Sequence, residues 1–141
     1  MTANKAYFRI RQSAIDEGYL TKLAKSGVGG ALKNVEKKTA AAAAAPVPAP
    51  LRRPEPYWES QVVEWHSIFD EAPLRAVAQT LANVMRRIGR PDDLQVALHI
   101  EVHVDWDLPH TGVPLSASTM GLLTDLDASV DIDIVPNLSP P

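Results

Sequence analysis

His99, Glu101 and His103 stand at alternate positions of the run LQVALHIEVHVDWDL, Leu94 to Leu108, and are the residues best suited to chemistry. Strict alternation puts them on one face of a strand, with successive same-face side chains about 6.5–7 Å apart. Imidazoles and a carboxylate so placed can ligate a divalent ion such as zinc, which would polarise a bound water for hydrolysis. The pattern is also the ordinary composition of a solvated strand face. On that reading Arg9, Arg11, Asp131 and Asp133 on neighbouring strands satisfy these groups as cross-strand pairs.

Other chemistries lack their residues. Cysteine is absent, which removes disulfides, thiolate nucleophiles and thiolate metal sites. No G-x-S-x-G run is present, and SGVGG follows a helical stretch where a phosphate loop would follow a strand. Asp125, Asp127, Asp131 and Asp133 fail as a calcium loop: Val130 replaces the turn glycine and Pro136 the bidentate glutamate. Arg9, Arg11, Arg52 and Arg53 with Tyr7 and Tyr57 offer a cationic, aromatic surface, yet acids dominate the rest of the chain and oppose nucleic acid. These absences point to a protein that performs no catalysis and needs no cofactor.

Charge is divided unevenly. Residues 1–56 carry ten Lys/Arg and four Asp/Glu, whereas residues 57–141 carry four and thirteen. From Pro91 onward there are nine acids and no Lys or Arg. An acidic surface of this kind selects cationic partners and speeds their capture. The polar start MTANKAYFRIRQS and the lack of a long apolar run imply neither a secretory signal nor a membrane span, so a cytoplasmic location is expected.

Hydropathy patterning supplies the elements that hold these residues. AYFRIR alternates as a first strand, with Ala6, Phe8 and Ile10 inward, and Ser13 or Asp16 opens a short helix ending near Lys25. Pro56 to His66 predicts a second strand, rich in aromatic and branched residues. Asp70 and Pro73 start an amphipathic helix with a stripe from Leu74 to Ile88, closed by Gly89 and Pro91. Leu94 to Leu108 is the third strand. Ser116 caps a short helix bearing Met120, Leu122, Leu123 and Leu126 on its apolar side. The last strand, Ser129 to Val135, should turn Val130, Ile132 and Ile134 inward and Asp131 and Asp133 outward. The expected architecture is α+β: a two-layer sandwich of a roughly four-stranded, mostly antiparallel or mixed sheet with helices on one face.

One domain is expected. Residues 1–30 give its first strand and helix, and 57–136 give the remainder. Between them, 31–56 form a Lys/Ala/Pro-rich surface excursion or linker holding five of twelve prolines, and 137–141 are a tail.

The strand AYFRIR, the helix IDEGYLTKLA, the strand bearing Tyr57-Trp58, the amphipathic helix after it and the ending LSASTMGLLTDLDASVDIDIVP follow one another in an order that resembles an uncharacterised bacterial domain-of-unknown-function family, numbered 4279. The resemblance spans roughly residues 6–25 and 57–136 and departs at KSGVGGALKNVEKK and the Ala/Pro run. It implies no reaction and assigns no functional residue.

The function expected from these features is non-enzymatic protein binding of the immunity type. A cognate basic toxin would sit against Glu101, Asp105, Asp107, Asp131 and Asp133, with His99 and His103 beside them and Trp65 as an aromatic anchor. The alternatives are a metal-binding module or metal-dependent hydrolase built on His99, Glu101 and His103, and a structural or assembly protein using the Ala/Pro segment as tether. Neither nucleic acid nor membrane is an expected partner.

Overall fold

Period-two alternation along the two longest apolar strands sets the direction of the core. The computed structural model describes residues 3–12, 18–33, 57–66, 68–104 and 112–136. Within them the order is β1 (Asn4–Gln12), α1 (Gly18–Ala24), β2 (Ala31–Lys33), β3 (Tyr57–Glu59), β4 (Val63–Trp65), α2 (Ala72–Ile88), β5 (Leu94–Val104), α3 (Ala117–Asp125) and β6 (Ala128–Pro136). All six strands join one sheet in the order β2-β3-β1-β5-β6, with β4 also paired to β1. Every pairing is antiparallel except β5–β6, which is parallel and has α3 in its crossover. The fold is therefore α+β with a mixed sheet. It has more strands than the four expected, partly because β2 forms an edge from the start of the segment read as an excursion. Residues 34–56 lie outside the described residues, as does the tail 137–141.

The second expected strand is divided by a bulge. Arg9 pairs with Glu59 while Ala6 pairs with Val63, so four steps on one strand oppose three on the other. Ser60 fills the gap: its N–H donates to Phe8 O at 2.9 Å, and its Oγ accepts from Phe8 N–H at 2.9 Å. The extra residue reverses the inward–outward parity, which lets both Trp58 and Trp65, seven positions apart, face the core. Ser60→Ala removes the acceptor for a buried backbone N–H. The expected loss is about 1–3 kcal/mol by denaturant unfolding, and a loss near zero would show that another group takes over.

Ala6, Phe8 and Ile10 of β1 and Leu94, Val96, Leu98, Ile100 and Val102 of β5 are buried against Leu20 and Leu23 of α1, Leu74, Ala78, Leu81 and Met85 of α2, and Leu123 of α3. Burial of each large side chain contributes about 1.5–3 kcal/mol, so this shared face holds the helices to the sheet. Tyr19 adds a directional tie, donating its hydroxyl to Gly89 O at 2.6 Å and fastening α1 to the end of α2.

The core stops at β5. In the parallel register Leu98, Ile100 and Val102 pair with Val130, Ile132 and Ile134, which places all six on the core side of the sheet. The β5 residues are buried, yet Val130, Ile132 and Ile134 are 43%, 58% and 65% exposed. Their expected inward burial is corrected: they point to the right side of the sheet but lie beyond the cover of the helices. Met120 is likewise exposed on α3, while Leu123 and Leu126 carry the contact.

Glu71 joins the starts of two helices. Its Oε2 accepts from Ser116 N–H at 2.8 Å and from Thr119 Oγ1–H at 3.0 Å, just as Ser116 Oγ caps α3 through Thr119 N–H. These bonds, that from the Ser116 backbone foremost, hold the Glu71 carboxyl below its ordinary pKa. The sign follows: the ionised form favours the fold, so the contribution is complete above the ordinary glutamate range and disappears as pH falls through the lowered folded-state value. Glu71→Gln should be less stable than the parent at neutral pH, with the gap closing in acid. Thermal unfolding across the acid range checks this, and a gap independent of pH would contradict it.

Candidate functional site

The face of the sheet opposite the core takes residues from all six strands, and pairing register fixes its layout. One row runs Lys33, Tyr57, Arg11, Gln95. The next runs Ala31, Glu59, Arg9, Ala97, Ser129. A third runs Tyr7, His99, Asp131, and a fourth runs Glu64, Lys5, Glu101, Asp133. Such rows place cross-strand side chains within about 4.5–5.5 Å at Cβ.

The half formed by β3 and β1 is cationic and aromatic. Arg9 donates through Nη2 to Glu59 Oε2 at 2.9 Å, and its guanidinium lies 4.5 Å from the Tyr57 ring centroid. Arg11 also approaches Tyr57, at 5.9 Å. Because β1 runs through the middle of the sheet, this face is not the uniformly acidic slab that the charge of the carboxy-terminal part suggests. The acids of the carboxy-terminal part occupy its outer half, on β5 and β6, while Glu59 on β3 and Glu64 on β4 lie opposite Arg9 and Lys5.

There Glu101 pairs with Asp133, and Asp131 pairs with His99. Like charges directly opposite destabilise a sheet. Lys5 sits across from Glu101 on the other side and also faces Glu64, so it is shared between two acids. His99 brings little compensation. Its Nδ1 is 3.8 Å from Asp131 Oδ2, but burial and then the Arg9 charge lower its pKa, against the opposing pull of Asp131. Burial and the Arg9 charge both favour the neutral imidazole, which is stacked on Tyr7 with ring centroids 5.4 Å apart. Asp131 and Asp133 are left as exposed negative charges on an edge strand.

An open depression of about 380 Å³ lies between the two halves, over Ala97 and Ser129. Arg9 and Arg11 form one wall, and His99 and Asp131 lie on the other side. The small side chains of Ala97 and Ser129, next to the long Arg9 in the same row, leave this space.

His99 and His103 do not converge. Four residues along a strand separate them by about 13 Å, and His103 Nε2 sits 3.1 Å from Glu101 Oε1 while His99 turns to Tyr7 and Asp131. Among the described residues no group of three His, Asp or Glu side chains is arranged to hold a metal ion. The sequence spacing suited adjacent same-face positions, whereas the two imidazoles occupy alternate ones with Glu101 between.

Trp65 is corrected as a surface anchor. It is 8% exposed, on the core side of the sheet, with its ring 4.7 Å from that of Phe69. The bulge at Ser60 turns it inward, a displacement that alternation alone does not reveal. Asp105 and Asp107 lie outside the described residues. Glu101, Asp131 and Asp133 are brought together on one face. What sequence reasoning missed is the exposed stripe Val130, Ile132 and Ile134 on the reverse of the same strand. Its alternation is legible, but the edge position that exposes it depends on strand order.

Among the described residues no helix is long and apolar enough to cross a membrane. Comparison with protein-family models, with curated proteins and with solved structures finds no match for this chain.

Proposed function

We propose that this chain is a non-catalytic, immunity-type binding domain that captures and neutralises a basic protein, a toxin, through the acidic outer half of its sheet. The observation that carries the reading is the set Glu101, Asp131 and Asp133, gathered on one face with Glu101 directly beside Asp133. A cationic partner relieves that opposition, and the exposed carboxylates raise its encounter rate. The resemblance to the family numbered 4279 would place the domain in a bacterium, and a cytoplasmic location is part of the proposal. Helices covering one side of the sheet, in two layers, would leave the other side for the partner.

The test is affinity purification from the native host at low and high salt, followed by coexpression of the captured protein. The expected result is a basic partner whose inhibition of growth is relieved by this chain. Recovery of no basic partner at any salt, or a partner whose toxicity is unaffected, would overturn the proposal.

A further inference from the structure

We infer that the free edge of β6 receives a strand from the partner, one whose side chains alternate between basic and aliphatic. This deepens the binding reading above and rests on it. Three properties of β6 converge. It ends the sheet, so one side of its backbone has no strand partner among the described residues. On the core side, Val130, Ile132 and Ile134 form an exposed aliphatic stripe, an expensive feature on a strand that could have been polar. On the opposite side, Asp131 and Asp133 are exposed at the intervening positions.

An added strand places its residues opposite those of β6, face for face. Its aliphatic side chains extend the core-side layer over Ile132 and Ile134, its Lys or Arg side chains meet Asp131 and Asp133, and its backbone takes the open hydrogen bonds. Charge selects this occupant over a second copy of the chain. In a two-fold antiparallel pairing of β6 with itself that keeps both cores on one side, an acid faces an acid in every register centred near Ile132. The core-side stripe would tolerate that pairing, but the acidic side repels it. One such pairing already operates inside this fold: Lys5 of β1 stands opposite Glu101 of β5 on the outer face, while the next residues, Ala6 and Ile100, meet on the core side.

The experiment uses the full chain and a synthetic nine-residue peptide of alternating Lys and Val, matched in length to β6. A peptide of the same composition with its lysines in one block, and an alternating Glu/Val peptide, serve as comparisons. Amide hydrogen exchange resolved by residue reads the edge, and titration calorimetry reads affinity. The alternating Lys/Val peptide should slow exchange of outward β6 amides about tenfold or more, and the blocked peptide should not. The pair Ile132→Ser and Ile134→Ser changes exposed residues, so the fold persists, and should weaken the alternating peptide about tenfold. Asp131→Lys with Asp133→Lys should transfer preference to the Glu/Val peptide.

Four results would overturn strand addition. They are equal binding of both lysine peptides without β6 protection, protected β6 amides in the free chain, self-association that protects the same amides, and indifference to the serine substitutions. If both lysine peptides bind without β6 protection and the Asp131 and Asp133 reversals abolish that binding, strand addition fails while the acidic-face reading stands. If neither binds and reversal leaves capture of the basic protein unchanged, both fail.

Discussion

Gly30→Ala should destabilise the protein by about 2–5 kcal/mol, the sum of the left-handed backbone cost and overpacking at one position. Gly30 has φ +76°, in the left-handed region that side-chain-bearing residues rarely occupy. It also lies on the sheet edge at the entry to β2, against Trp58. A Cβ there would come 2.2 Å from Glu59 O and 2.7 Å from Trp58 Cζ2. Neither neighbour can withdraw: Glu59 O belongs to β3, and the Trp58 indole is fully buried. Gly27 separates the two contributions. Its φ is +88°, but a Cβ there meets nothing within 4 Å. Gly27→Ala should therefore carry only the backbone cost, about 1 kcal/mol. Denaturant unfolding of the two variants checks this, and equal losses would contradict the close approach at Gly30.

Reversing charge at Asp131 and Asp133 to lysine should slow association with a basic partner about 10- to 100-fold at low ionic strength. The side chains are exposed and stand where Glu101 already supplies negative potential, so four units of charge change in one small region. At ionic strengths where the Debye length falls to about 3 Å, the parent and variant rates should converge. Stability should change little, or improve slightly as the Glu101–Asp133 opposition is relieved. Stopped-flow association across a salt series measures the effect. A rate that is insensitive to the substitutions would place the binding surface elsewhere.

The elements were legible where one period ruled a segment. Leu94 to Leu108 and Ala6 to Arg11 alternate in the sequence, and the Leu74 to Ile88 stripe keeps helical spacing; the strands are found over Leu94–Val104 and Asn4–Gln12 and the helix over Ala72–Ile88, with 105–108 outside the described residues. Pro56 to His66 resisted because Ser60 inserts one residue and reverses parity, a feature decided by the register with β1. The same reversal hid the burial of Trp65. β6 shows the opposite limit. Its alternation is plain in the sequence, yet burial depends on what covers it, and the strand order that sets Ile132 and Ile134 at the margin is a tertiary property. Charge told a similar story. The acids of the carboxy-terminal part do gather on β5 and β6, but β1 brings Lys5, Arg9 and Arg11 into the centre of the same face, and only pairing determines that neighbourhood.

Amide exchange on the chain with and without its basic partner, resolved along the whole sequence, examines the binding surface most directly. Slowed exchange concentrated in 94–104 and 128–136, with β2 and α2 unchanged, is the result this account requires. Protection confined to α1, β2 or α2, with β5 and β6 exchanging as in the free chain, would contradict it.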